Sequence, residues 1–172
     1  FIENVLDKYY FGYVLSQIKF LTIEGRLYKK FLLNEIDVLN VKLLLMSKKE
    51  NMAEQSLKEL IISYGKLKKP FIDQLIRSDI ETIIKELELT QFKTVFEKYS
   101  KEVEINFTDL EIDLDKFLLE QSKKLIKQHP LSVDVILGYM FIKDLEVKNI
   151  ARIMKAKQLD LSKKFIEKTI LV

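Results

Sequence analysis

Apolar side chains recur at intervals of three, four or seven residues along most of the chain. This spacing places them on one face of an α-helix and is typical of helices that pack against a core. We therefore expect these rows to be buried. Three rows show the pattern: Ile2, Leu6, Tyr9 and Tyr13; Leu27, Phe31, Val38, Val41 and Leu45; and Leu110, Leu114, Phe117 and Leu125.

Capping residues predict where several helices begin. Thr108 with Glu111 has the spacing of a capping box and predicts the start of a long helix. We expect this helix to stop before His129 and Pro130, because a proline ring removes an amide donor. Ser78, Ser132 and Ser162 are the other predicted caps.

The composition narrows the fold class. The 172 residues include only 4 Gly and 2 Pro, too few for the turns of a sandwich, a barrel or a doubly wound sheet. An all-α protein is therefore predicted. The absence of Cys excludes a disulfide scaffold and a thiol nucleophile, and a single His cannot build a His-rich metal centre.

Catalytic and cofactor motifs are not found in the sequence. The glycines stand singly, so neither a P-loop nor a dinucleotide fingerprint can be formed. The carboxylates that cluster, as in Glu111 with Asp113, are spaced by two residues and point to different sides of a helix. We predict no catalytic, cofactor or metal site.

Two segments of the chain resemble each other. Residues 31–41 read FLLNEIDVLNV, and residues 140–150, at an offset of 109, read MFIKDLEVKNI. A second block around Leu6 and Asp7 matches a block around Leu114 and Asp115 at an offset of 108. Such self-similarity indicates an internal repeat of three helices per unit. We interpret residues 1–65 as the C-terminal part of one helical domain, and residues 66–172 as a complete domain in which short helices at 66–108 precede the repeated unit at 109–172.

Polar residues within the repeated segments are the main candidate site. Asp37 and Asn40 in the first segment correspond to Glu146 and Asn149 in the second, at the i, i+3 spacing of neighbours on one helical face. Arg152 adds a donor one turn later. Because Asn is a mediocre helix former, these positions predict a polar latch that fixes helix packing. Direct contact with a partner is the alternative.

The end of the chain is basic, with seven Lys and Arg against two acids between Lys148 and Lys168. A solvated helical face is one interpretation, and an acidic protein or anionic lipid is the other. No nucleic-acid-binding signature accompanies the lysines. The candidate partner contacts are Lys155, Lys157, Lys163 and Lys164.

The run HPLSVDVILGYMFIKDLEVKNIARIMKAK at residues 129–157 resembles the C-terminal signature of the C subunit of archaeal and bacterial A/V-type rotary ATPases, a family related to the d subunit of the eukaryotic V-ATPase. LEIDLDKF at 110–117 is similar to its preceding helix start. One departure is that Leu43 stands where the second segment has Arg152. The positions that carry the resemblance are His129, Pro130, Glu146, Val147, Asn149 and Arg152.

The resemblance implies a mechanical role. Members of this family form a funnel-like socket between the membrane rotor ring and the central stalk, so we expect a non-catalytic coupling protein that transmits torque for proton or sodium transport. It would need no cofactor, bind no nucleic acid and lie peripherally on the cytoplasmic side of the membrane. The alternative is a stand-alone helical adaptor for an acidic protein or RNA. Since Phe1 aligns with Asp109, inside a helix, we also expect the chain to be the C-terminal part of a longer protein.

Overall fold

A computed structural model describes residues 2–18, 26–101, 105–128 and 133–171, and these residues form helices and connecting turns without a β-strand. The predicted all-α class is confirmed. The helices in chain order are α1 (Ile2–Ile18), α2 (Arg26–Lys49), α3 (Glu54–Leu60), α4 (Lys69–Arg77), α5 (Ile80–Glu88), α6 (Lys93–Tyr99), α7 (Phe107–Gln128), α8 (Val133–Gln158) and α9 (Lys163–Thr169). Of the helices described, none combines the length and the apolarity needed to cross a bilayer.

Helix α2 lies at the centre of the structure and contacts α1, α3, α7 and α8. Its predicted row is buried, since Phe31, Val38, Val41 and Leu45 belong to the largest core cluster and Leu27 packs against it. The α7 row faces the same core through Leu110, Leu114 and Phe117, whereas the predicted Leu125 side chain lies outside the described residues. Helices α4–α6 complete this core with Ile72, Leu75, Ile76, Ile83, Ile84, Leu87, Phe92 and Phe96.

The predicted burial of the α1 row is wrong. Leu6, Tyr9 and Tyr13 are all more than half exposed to solvent, and the Ile2 side chain lies outside the described residues. Helix α1 instead packs through Phe11 and Ile18 against a second cluster. This cluster includes Leu32 and Ile36 of α2 and Ile62, which lies in the segment after α3. Because α1 is apolar on more than one face, periodicity alone could not determine which face is covered.

The observed caps revise two predicted helix starts. Asn106, not Thr108, caps α7, since its side-chain oxygen accepts hydrogen bonds from the amides of Thr108 and Asp109. Asp79, not Ser78, caps α5 by accepting from the Thr82 amide. Ser, Thr, Asn and Asp are all favoured as caps, so the residue types near a predicted helix start did not determine which of them is the cap. Ser162 caps α9 as predicted, whereas Ser132, His129 and Pro130 lie outside the described residues.

Candidate functional site

Asn40 joins α2 to the segment that follows α3. Its side-chain amide donates to the carbonyl oxygen of Ile62 at 2.8 Å, and its side-chain oxygen accepts from the amide of the same residue at 2.9 Å. The Asn40 side chain is buried. The residue therefore satisfies both backbone groups of Ile62, which lies in an irregular segment and has no helical partners for them.

Asn149 makes the same two bonds in the second segment. Its amide donates to the carbonyl oxygen of Leu171 at 2.6 Å and its oxygen accepts from the Leu171 amide at 3.1 Å. Both asparagines thus reach a residue 22 positions later in the chain, beyond a short helix. The second pair is only partly buried.

Asp37 is fully buried and binds three donors that come from two parts of the chain. It accepts from the backbone amides of Lys66 at 3.0 Å and Leu67 at 3.2 Å, and from the side chain of Gln91 at 2.7 Å. Burial raises the pKa of the Asp37 carboxyl, while these hydrogen bonds oppose that shift. Asp37 therefore fixes the chain between α3 and α4 and the turn between α5 and α6.

Gly65 is required by the position of Asp37. A Cβ added at Gly65 would lie 1.9 Å from Asp37 Oδ1, well inside contact distance. The backbone at this point passes close to the carboxylate, so only glycine leaves enough space. Beside it, Lys66 donates from its side chain to Asn34, another buried polar residue of α2.

Glu146 does not share the surroundings of Asp37, its counterpart in sequence. It is exposed on α8 and pairs with Lys143 at 2.8 Å. The structure thus brings Asp37 and Asn40 together over residues 62–67, whereas Glu146 and Asn149 act separately. A surface pair of this kind contributes little to stability.

Arg152 joins a different arrangement. It pairs with Asp115 of α7 at 2.7 Å and also reaches the carbonyl oxygen of Thr169 at 3.5 Å. Asp115 binds Lys42 of α2 at 2.5 Å as well. One mostly buried carboxylate therefore connects α2, α7 and α8, the three long helices that surround it.

The four candidate lysines are all exposed at the end of α8 and in α9. Lys155 borders a cavity of about 310 Å³ between α7, α8 and α9, together with Asp115, Arg152 and Phe165. Lys163 lies 3.6 Å from Glu167. The structure leaves all four accessible to a partner but does not gather them around one point.

Sequence reasoning missed several members of the site. Asn34, Gly65, Lys66 and Gln91 were not singled out, and no spacing rule links them, because they meet only through the fold. Asp115 lay within the recognised repeat, and its match to Asp7 could have drawn attention to it. In the parts of the chain that the structure describes, no group of three or more His, Asp or Glu side chains is placed to hold a metal ion.

Comparison with known proteins identifies a matching family. The family model described as "ATP synthase (C/AC39) subunit" matches residues 1–169. The A-type ATP synthase C subunit of Methanocaldococcus jannaschii is 32% identical over 163 residues, covering 90% of this chain and 40% of the relative. That of Methanosarcina barkeri is 30% identical over 174 residues, covering 100% and 48%.

A third relative is similar over a shorter stretch. The A-type ATP synthase C subunit of Pyrococcus abyssi is 35% identical over 122 residues, covering 70% of this chain and 33% of the relative. The chain thus spans less than half the length of these curated relatives. No solved structure matches it.

Proposed function

Since the chain belongs to the ATP synthase (C/AC39) subunit family, we propose that it forms part of the non-catalytic coupling component of an A/V-type rotary ATPase. In this role it links the membrane rotor ring to the central stalk and transmits torque between them. It lies on the cytoplasmic side of the membrane as a peripheral component. Its two three-helix units form part of a funnel-like socket.

The observation that carries this proposal is the bridge at Asp115. A body that transmits torque must resist relative movement of its helices, and Asp115 holds α2 through Lys42 and α8 through Arg152. Hydrogen bonds to charged groups are stronger than neutral ones and are directional. The bridge therefore supports a stiff connection between α2, α7 and α8.

The two asparagine latches support the same role. Asn40 and Asn149 each tie a long helix to the segment after a short one, through paired bonds to a single residue. These bonds prevent the short helices α3 and α9 from swinging away from α2 and α8. A socket that is loaded from both sides needs such restraints at its edges.

Assembly with the rotary machine tests the proposal. The chain should co-purify with the rotor-ring and central-stalk proteins of an A-type ATP synthase, and failure to bind either of them contradicts it. The basic tail is tested within the same assay by charge reversal to Glu. We expect binding to fall about tenfold or more if the tail meets an acidic surface. The four reversals are Lys155, Lys157, Lys163 and Lys164.

A matched variant controls for the change in net charge. It reverses the same number of exposed lysines in the region of α4–α6 and should bind as the unchanged chain does. Equal binding by both variants removes the tail from the contact without affecting the family assignment. The control lysines are Lys68, Lys69, Lys85 and Lys93.

A further inference from the structure

A pocket with a volume of about 270 Å³ lies between α3 and α4. Its floor is aliphatic, because it is lined by Ile61, Ile72 and Ile76, which are at most 8% exposed, and by Leu67, which packs against the core. The volume is just below the range of about 300–1,000 Å³ that is typical of ligand pockets. The pocket therefore has room for one apolar side chain or another group of that size.

Three cationic side chains border this floor. Lys58 comes from α3, and Lys69 and Arg77 come from the two ends of α4. Among the described residues, none of the three forms a salt bridge or donates a side-chain hydrogen bond. Other lysines of the chain are paired, as Lys42 and Lys168 are with acids of α7. A pocket lined by unpaired charges of one sign attracts groups of the opposite sign.

The positive charges on α4 are separated by an acid. Asp73 lies four residues after Lys69 and four before Arg77, which places the three residues along one side of the helix. In the described chain Asp73 pairs with neither of them. The two cations are eight residues apart, which corresponds to about 12 Å along the helix axis. This side of the pocket is therefore positive at both ends and negative in the middle.

This pattern of charge and apolar surface selects the kind of occupant. A complementary segment carries an acid at each end and an uncharged, apolar residue between them. An extended peptide rises by about 3.3 Å per residue, so two acids four positions apart span about 13 Å and match the separation of the cations. An apolar side chain that is buried in a pocket commonly supplies much of the affinity at protein interfaces.

We propose that the pocket between α3 and α4 binds an extended segment of a partner protein, in which an apolar residue has an acid two positions before it and another two positions after it. The apolar side chain lies on the floor of the pocket, and the acids pair with Lys69 and Arg77. Lys58 adds positive charge on the opposite side. This contact is separate from the proposed binding to the rotor ring and central stalk, so either proposal can fail without the other.

A synthetic peptide tests the proposal on the 172-residue chain itself. The peptide Glu-Ala-Leu-Ala-Glu, acetylated and amidated so that only its acids are charged, is titrated while the methyl signals of the chain are followed by NMR. We expect saturable binding with a dissociation constant below about 1 mM, which weakens as salt is added. Signals of Ile72 and Ile76 should shift, whereas those of Ile112 on α7 should not.

Two altered peptides separate the contributions of charge and apolar burial. Gln-Ala-Leu-Ala-Gln lacks the acids, and Glu-Ala-Ala-Ala-Glu lacks the apolar anchor. Each should bind at least about tenfold more weakly than the first peptide. The absence of saturable binding by the first peptide overturns the proposal. Binding that leaves the Ile72 and Ile76 signals unmoved, or that is equally strong without the leucine, also overturns it, because the pocket would then not be occupied.

Charge reversal in the chain tests the two cations. Both side chains are exposed, so the variant Lys69→Glu with Arg77→Glu should keep its helix content by circular dichroism. It should bind Glu-Ala-Leu-Ala-Glu at least about tenfold more weakly. The control Lys85→Glu with Lys93→Glu changes the net charge equally at exposed sites outside the pocket and should bind as the unchanged chain does. An equal loss in the control would mean that only the net charge matters.

A charge-swapped pair gives the decisive result. The peptide Lys-Ala-Leu-Ala-Lys should bind the variant Lys69→Glu with Arg77→Glu at least about tenfold more tightly than it binds the unchanged chain. This outcome requires that the charges of the peptide meet residues 69 and 77. If the swapped peptide does not discriminate between the two chains, the acids of the original peptide do not pair with Lys69 and Arg77, and the proposal is wrong.

Discussion

Asn40 and Asn149 make the same pair of backbone bonds, yet the acids three residues before them lie in opposite surroundings. Asp37 is buried under Lys66, Leu67 and Gln91 and accepts from all three. Glu146 is exposed beside a lysine of its own helix. The comparison teaches that the paired hydrogen bonds of each asparagine require only the segment after the next short helix. The burial of the acid, in contrast, requires that another part of the chain packs over it.

The strongest test of this comparison is Asp37→Ala beside Glu146→Ala. Removing the buried Asp37 carboxylate leaves the Lys66 and Leu67 amides and the Gln91 side chain without their acceptor, so we expect a loss of about 3–5 kcal/mol in the free energy of unfolding. Glu146→Ala should change it by less than about 0.5 kcal/mol. Urea unfolding measures both. Equal losses of unfolding free energy in the two variants would mean that Asp37 and Glu146 contribute equally to stability.

A smaller difference is expected between the two asparagines. Asn40→Leu leaves the buried amide and carbonyl of Ile62 unpaired and should cost about 2–4 kcal/mol. Asn149→Leu should cost about 1–3 kcal/mol, since Asn149 is only partly buried whereas Asn40 is buried. Thermal unfolding of the two variants provides the measurement. An unchanged melting temperature for Asn149→Leu rejects a latch at this position.

The last prediction concerns Glu35 of α2, which lies near Asp144 and Lys148 of α8. Burial raises the pKa of its carboxyl to about 7, with Asp144 and Asp7 raising it further and Lys148 lowering it. Tyr10 and Tyr28 also lie near this carboxyl. Because an unfolded glutamate ionises near pH 4.5, the folded state loses stability as the pH rises from there to about 7.

Glu35→Gln should therefore stabilise the protein at pH 8 by about 1–3 kcal/mol and change it much less at pH 5. Unfolding in urea at both values gives the comparison. Glu146→Gln is a suitable control, since that exposed side chain pairs only at the surface. A stabilisation by Glu35→Gln that is equal at both pH values would show that ionisation of Glu35 is not the cause.

Local patterns predicted the helical class, and the reason is physical. The low content of Gly and Pro and the three-four spacing of apolar residues act within one helix, so sequence alone reports them. The buried rows of α2 and α7 followed from the same signal. Asn40 and Asn149 were singled out by the same kind of local signal, because asparagine within a long helix is costly unless its side chain has a partner.

What the sequence could not show depends on distant parts of the chain. The exposure of Leu6 and Tyr9 on α1 depends on whether another helix covers them, which periodicity does not encode. Asp115 binds Lys42 and Arg152 from positions 73 residues before and 37 residues after it. Likewise, Glu146 and Asp37 share a motif, but only the packing of α4–α6 determines that one of them is buried.

Because Gly65 lies so close to Asp37, the residue type at one of these positions limits which residue types the other can carry during evolution. A side chain at 65 can be accommodated only if the carboxylate at 37 moves or is replaced. Among relatives, glycine at 65 and the acid at 37 should therefore be kept or lost together. The presence of both residues would then be a marker in the sequence. It would distinguish a segment whose acid is buried, as Asp37 is, from one whose acid is exposed, as Glu146 is.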